Sequence, residues 1–143
     1  GLKWPNDLLI DNKKICGILI ESEISGDNND FIIGIGINYS LPQKESWWGE
    51  IGDLADILPR EKLINSILKK IINYAENGYK NWKFAWEKRC VHMEKEIKAI
   101  SNNQDDYEMG KFNGINEEGK MLLKTKNELK IISSGECSIK GIY

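Results

Sequence analysis

The sequence predicts an α+β chain, a mixed sheet with helices packed on it followed by a small β-barrel, and three observations lead there. Residues 7–38 hold short apolar runs split by polar turn residues, the pattern of strands. Residues 59–89 carry apolar side chains at three- and four-residue spacing, the period of a helix lying on a surface. After Met93 the chain breaks into brief strand-like runs separated by charged turns, and many short strands in so little chain suggest a barrel.

The opening Lys3-Trp4-Pro5-Asn6-Asp7-Leu8-Leu9 organises the first part. Pro5 has no amide proton to give a ladder and belongs at a strand end, which places Asn6 and Asp7 at an irregular position from which functional side chains often project. Asp11-Asn12-Lys13-Lys14, between Leu8-Leu9-Ile10 and the run from Ile15 to Ile20, has the chemistry of a hairpin loop. Its register sets Lys14 at the start of the next strand. On composition alone Lys13 and Lys14 read equally as solvated hairpin residues. Ser25 to Asp30 is a polar link to a further strand.

That strand places Phe31, Ile33, Ile35 and Ile37 on one face and Ile32, Gly34, Gly36 and Asn38 on the other. One face is greasy; the other is nearly bare backbone ending in an amide. Interior strand glycines weaken a sheet and often mark close approach of a ligand or of another backbone. Two readings follow: a floor for a slender ligand, or room for a packed helix. Simple alternation does not put Lys14 and Gly17 on one face, so a bulge or strong twist is expected between them. Residues 39–52 form a loop whose Trp47 and Trp48 are too apolar to leave wet, and at least one is expected to pack on the core or cap a ligand.

Pro59 suits a first helical turn, Leu63, Ile64, Ile67, Leu68, Ile71, Ile72 and Ala75 make a stripe, and Gly78 is a natural stop. Tyr79, Trp82, Ala85, Trp86 and Arg89 predict a second helix. Both stripes are expected to cover a sheet face. Strands are expected at 96–100, 107–115, 120–125, 128–133 and 137–142, with turns at 102–106, 116–119 and 134–135. His92, the only histidine, has no nucleophile or ligand partner at a readable spacing and is read as structural or surface.

Bulk properties exclude several classes. Acidic and basic residues nearly balance, leaving a formal charge of −2, so the basic stripe of a nucleic-acid-binding surface is missing. No apolar run approaches the ~20 residues of a membrane span, and no signal peptide precedes the first strand. Cys16, Cys90 and Cys137 are odd in number and widely spaced, as expected of free thiols in a reducing, cytoplasmic setting. A start at Gly1, directly before a motif, suggests a piece of a longer protein.

Lys3-Trp4-Pro5-Asn6-Asp7-Leu8, then Lys14-Ile15-Cys16-Gly17-Ile18-Leu19-Ile20-Glu21, then Gly34-Ile35-Gly36-Ile37-Asn38 resemble three successive blocks of biotin–protein ligases, in that family's order and at similar spacing. The resemblance continues weakly to the tail, where Gly114-Ile115-Asn116 and Gly135-Glu136 are similar to turn positions of the family's SH3-like C-terminal domain. It implies residues 1–93 as the C-terminal part of a class II synthetase-like catalytic domain and 94–143 as the SH3-like domain. The family's N-terminal half, with its Gly/Arg-rich loop, has no counterpart here.

What the resemblance implies is a two-step reaction. Biotin attacks the α-phosphate of ATP to give biotinoyl-5'-AMP, and a lysine of a biotin carboxyl carrier protein, such as that of acetyl-CoA carboxylase, then displaces AMP. Lys14 is implied as the catalytic cation between the two anions, a role whose loss typically costs ~10²-fold in rate or more. Lys3, Asn6, Asp7, Gly17, Gly34, Gly36 and Asn38 are implied around biotin and ATP, with Mg2+ near Asp7 and Trp47 or Trp48 against adenine. These residues alone are expected to show little adenylate synthesis. A lipoate–protein ligase and a non-catalytic module docking a carrier domain are the alternatives. A homodimer is a further possibility if the sheet edge near Gly1 is exposed.

Overall fold

The computed structural model describes residues 1–25, 28–42, 45–54, 56–101, 106–135 and 137–140. Among the described residues there are two sheets, two α-helices and a short 3-10 helix (Ile51–Asp53). Strands β1 (Leu2–Lys3), β2 (Asp7–Ile10), β3 (Lys13–Ser25) and β4 (Asn28–Ile37) form a four-stranded sheet in that order, every ladder antiparallel. After α1 (Arg60–Asn77) and α2 (Trp82–Glu87) come β5 (Glu96–Ser101), β6 (Tyr107–Ile115), β7 (Met121–Lys124), β8 (Leu129–Ile132) and β9 (Cys137–Lys140), an antiparallel five-stranded sheet ordered β8-β7-β6-β5-β9. The five tail strands stand where the sequence places them to within a residue at each end; residues 141 and 142 of the last expected strand lie outside the described residues. Among the described residues no helix is long and apolar enough to cross a membrane.

Local chemistry explains the first sheet. Asp11 and Asn12 both take positive φ, 48° and 62°, the tight turn whose twist suits a two-residue hairpin between β2 and β3. The β3–β4 ladder runs from Cys16↔Ile37 to Ser25↔Asn28, so the strands continue through most of the expected link at 25–30; Gly26 and Asp27 lie outside the described residues. Phe31, Ile32 and Ile33 in β4, with Leu19 and Ile20 in β3, are exposed. The edge beside Gly1 is paired within the chain: Leu2 donates to the Arg89 carbonyl (2.8 Å) and accepts from Val91 N–H (2.9 Å), so the condition for edge pairing there is not met.

The helices depart from the expected cover. Gly78, at φ 67°, ends α1 by donating to the Tyr74 carbonyl, as the sequence suggests. Yet α1 has no buried residue, and Ile64, Leu68 and Ile72 are largely exposed. The stripe is present, but among the described residues none of its side chains is fully buried, and it does not cover a sheet face as expected. In α2, Trp82 and Trp86 pack on the core of the second sheet, where Trp86 stacks on Phe112 with centroids 6.3 Å apart, and they share a cleft with Leu2 of β1.

That core holds Ile97, Ala99, Phe112, Ile115, Met121, Leu123, Cys137 and Ile139, together with one residue from the other sheet, Trp4. Gly114 sits at a register shift inside β6 with φ 99°, so it serves a bulge and not a turn; the Ile115 N–H beside it donates to Glu87 Oε1 (3.1 Å). Glu136, in the last expected turn, and 102–105 lie outside the described residues. His92 is wholly buried, settling its position as interior, and its ring lies 5.5 Å from that of Phe112. Burial, helped by the charges of Lys3 and Lys95, lowers its pKa to about 4. Cys16, Cys90 and Cys137 are free thiols. Burial raises the pKa of Cys16 and Cys90, which keeps both protonated and unreactive.

Candidate active site

A row of paired residues crosses the first sheet. Lys3 on β1 faces Asp7 on β2, Asp7 faces Gly17 on β3, and Gly17 faces Gly36 on β4. Directly opposed residues in a ladder share a face, so two charged side chains stand at one end of the row and bare backbone at the other. A Cβ on Gly36 would meet only the Gly17 carbonyl, at 3.8 Å, and one on Gly34 only Leu19. Among the described residues no helix lies over these glycines. Gly34 and Gly36 are thus open on this face among the described residues.

Lys14 joins this face through a bulge. Leu9 pairs with Lys14 but Leu8 pairs with Cys16, so Ile15 is an extra residue in β3. The extra residue reverses the alternation beyond it. The Lys14 ammonium accordingly swings over Gly17: a Cβ there would stand 3.2 Å from Nζ and 3.5 Å from Asp7 Oδ1. Glycine at 17 leaves the space in which Lys14 Nζ reaches Asp7 Oδ1 at 2.6 Å. The expected irregularity between Lys14 and Gly17 is this bulge.

The bulge is held from outside the sheet. Lys14 N–H donates to the Trp47 carbonyl (3.0 Å), and the Lys14 carbonyl accepts from Gly49 N–H (2.9 Å) and from Asn38 Nδ2 (3.0 Å). Asn38 Nδ2 also donates to the Gly49 carbonyl (3.0 Å), while Asn38 N–H bonds the Ile15 carbonyl (2.8 Å). Asn38 thus ties β3, β4 and the 39–52 loop together. Gly49 is buried so tightly that a Cβ would lie 3.0 Å from Lys13 Cβ and 3.1 Å from Ile15 Cγ2. The sequence carried Asn38 as a site residue but gave no weight to Gly49, whose signal was its place after two tryptophans. Trp47 and Trp48 meet edge to face at 5.2 Å, and Trp47 remains exposed.

Asn6 projects differently. Its Nδ2 donates to the Ile18 carbonyl (2.7 Å) and its own carbonyl accepts from Ile18 N–H (3.0 Å), which pins the β1–β2 turn to β3. Lys3 is buried, and desolvation lowers its pKa to about 8 against the opposing pull of Asp7 and with the push of Lys14. Among the described residues no cluster of three or more Asp, Glu, His or Cys side chains could hold a metal ion. Asp7 is the carboxylate of the row.

Two family models match the two sheets in turn: the biotin/lipoate A/B protein ligase family over residues 1–38, and the biotin protein ligase C-terminal domain over 92–140. Together they define the class as an acyl-ligase catalytic sheet followed by its C-terminal β-domain. The bifunctional ligase/repressor BirA of Bacillus subtilis is 34% identical over 96% of this chain and 46% of its own length. The biotin–[acetyl-CoA-carboxylase] ligase of Paracoccus denitrificans is 25% identical, over 99% of this chain and 63% of that one. The solved biotin protein ligase of Aquifex aeolicus in complex with biotin and ATP aligns with a TM-score of 0.75 at 28% identity, covering 97% of this chain and 61% of that one. The chain belongs to the biotin protein ligases, and it spans about half the length of the first of these relatives.

Proposed function

We propose that this chain supplies the nucleotide-facing half of a site that activates biotin with ATP and passes it to a lysine of a biotin carboxyl carrier protein. The observation that carries the reading is the Lys14 ammonium held beside Asp7 over the glycine floor of Gly17 and Gly36. An ammonium has three donors, so Lys14 can keep Asp7 while donating hydrogen bonds to a carboxylate and to an α-phosphoryl oxygen. Two anions approach one another only if a fixed cation offsets their repulsion, and a backbone held by three hydrogen bonds fixes this one. Reaction of a biotin carboxylate oxygen at the α-phosphorus forms the acyl-phosphate bond and releases pyrophosphate. The carrier amine then forms the amide and releases AMP.

In this scheme the floor from Gly34 to Asn38 lets the ligand lie close to backbone, and Lys3 adds positive charge at the far end of the row. Asn6 and Asn38 keep the turn and the bulge in place beside the nucleotide. Magnesium, when bound, neutralises phosphate charge. A single carboxylate, Asp7, fits an ion held chiefly by phosphate oxygens and water, and Asp7 would hold it. The second sheet, from residue 94 onward, is assigned a docking or lid role towards the carrier domain. Trp47, exposed beside Lys14, is the candidate for stacking on adenine. The free cysteines among the described residues fit the reducing, cytoplasmic setting this reading assigns to the protein.

The match of residues 92–140 to a biotin protein ligase domain favours biotin over lipoate. The test is ATP–pyrophosphate exchange in a protein in which residues equivalent to the relatives' preceding half stand before Gly1. Exchange driven by biotin and not by lipoate is expected, with little from the 143 residues alone. Exchange driven by lipoate would transfer the site to the other acid. Carrier binding with no exchange for either acid would leave a docking module.

A further inference from the structure

The β1–β2 turn connects the two sheets through one side chain. Trp4 lies between Lys3 and Asp7, the pair that opens the charged row, yet its own ring is buried with Ile97, Phe112, Met121 and Leu123 in the core of the second sheet. Its Nε1–H donates to the Gly119 carbonyl at 3.0 Å. That carbonyl is itself fixed. Gly119 takes φ 77° in a turn closed by Gly119 N–H on the Asn116 carbonyl and by Glu118 and Lys120 N–H on Asn116 Oδ1. A buried indole N–H needs a partner, and here the partner belongs to the other sheet.

We propose that Trp4 is a positioning residue through which the second sheet sets the place of Lys3 and Asp7 in the row. A turn this short has little freedom of its own. Three residues, Trp4, Pro5 and Asn6, separate the strands that carry the two charges; Trp4 is anchored on Gly119 and Asn6 on Ile18. Shifting the Gly119 turn therefore moves the β1 end of the row relative to Gly17. The proposal rests on the ligase reading only in treating the row as a ligand site; the coupling between the sheets stands apart from it.

The test is amide NMR of the row, read at Asp7 and Gly17, in Trp4→Phe and Gly119→Ala. Phenylalanine keeps an apolar ring but removes the donor. Alanine at 119 has open space for its Cβ, so it strains only the φ 77° turn that presents the acceptor. Both substitutions are expected to shift the Asp7 and Gly17 amide resonances, and the double variant to add little beyond either. Unmoved Asp7 and Gly17 resonances in folded Trp4→Phe overturn the proposal; should that variant not fold, unmoved resonances in Gly119→Ala do so. Pyrophosphate exchange by the unsubstituted protein separately decides the ligase reading, so the two failures are distinguishable.

Discussion

Lys14 and Asp7 meet at 2.6 Å because β3 contains one residue too many. In an unbroken β3, Lys14 and Gly17, three positions apart, would point to opposite faces of the sheet. The extra residue, Ile15, brings both onto one face, so the Lys14 side chain lies over Gly17 beside Asp7. The pair is only partly buried, with about a third of the Lys14 side chain exposed, so it contributes little to stability. Its value is positional.

A first consequence concerns Gly17. Valine there places carbon between Nζ and Oδ1, and the flexible end of Lys14 is what must move aside. Gly17→Val is expected to cost less than about 1 kcal/mol of stability, because the neighbour it displaces is a mobile side chain, while biotin-dependent exchange falls by about tenfold or more. Urea unfolding together with exchange kinetics checks both halves. Full activity with normal stability would show that the gap over Gly17 is not used.

The support behind the bulge predicts the opposite balance. Gly49→Ala forces a Cβ against Lys13 Cβ and Ile15 Cγ2, neither of which is a free chain end. A loss of roughly 1–3 kcal/mol is expected, the usual range for overpacking. Asn38→Ala removes the two donations to Lys14 and Gly49 carbonyls and is expected to cost about 1–2 kcal/mol. Denaturant midpoints for the two variants test this, and values within error of the unsubstituted protein would remove both residues from the support.

His92 gives a pH dependence whose sign is fixed. Its folded pKa, about 4, is below the ordinary value of 6.5, so the unfolded chain binds the proton more readily. Stability from this group is complete above pH 6.5 and is lost as pH falls towards 4. Between pH 7 and 5 the loss is about 2 kcal/mol. Replacing His92 by Phe, which cannot be charged beside Phe112, is expected to flatten the unfolding free energy over that window. An unchanged slope in His92→Phe would place the proton uptake elsewhere.

How much the sequence disclosed differs by element. The strands of the second sheet were legible because each is a short apolar run bounded by turn residues, a local signal that local structure obeys. The floor at Gly34 and Gly36 was legible for the same reason, since alternation along one strand fixes faces. The helical stripes misled about what they cover: periodicity tells which face is apolar, not which partner buries it, and the partner of Trp86 is Phe112, in the second sheet. Trp4 was visible only as part of a motif. Its contact, Gly119, lies 115 residues away, and no spacing rule links the two. The bulge was half legible: a conflict in alternation revealed that something intervened, but the choice of Ile15 depends on cross-strand pairing.

The central claim is that the Lys14 ammonium holds the reacting anions. The most direct measurement is the Kd of a non-hydrolysable biotinoyl-adenylate analogue, by calorimetry, for the protein carrying the relatives' preceding half and for its Lys14→Met variant. The account predicts affinity weakened by about two orders of magnitude at unchanged thermal stability, the range for losing a fixed charge contact in a site. Equal affinity in the two proteins would contradict it.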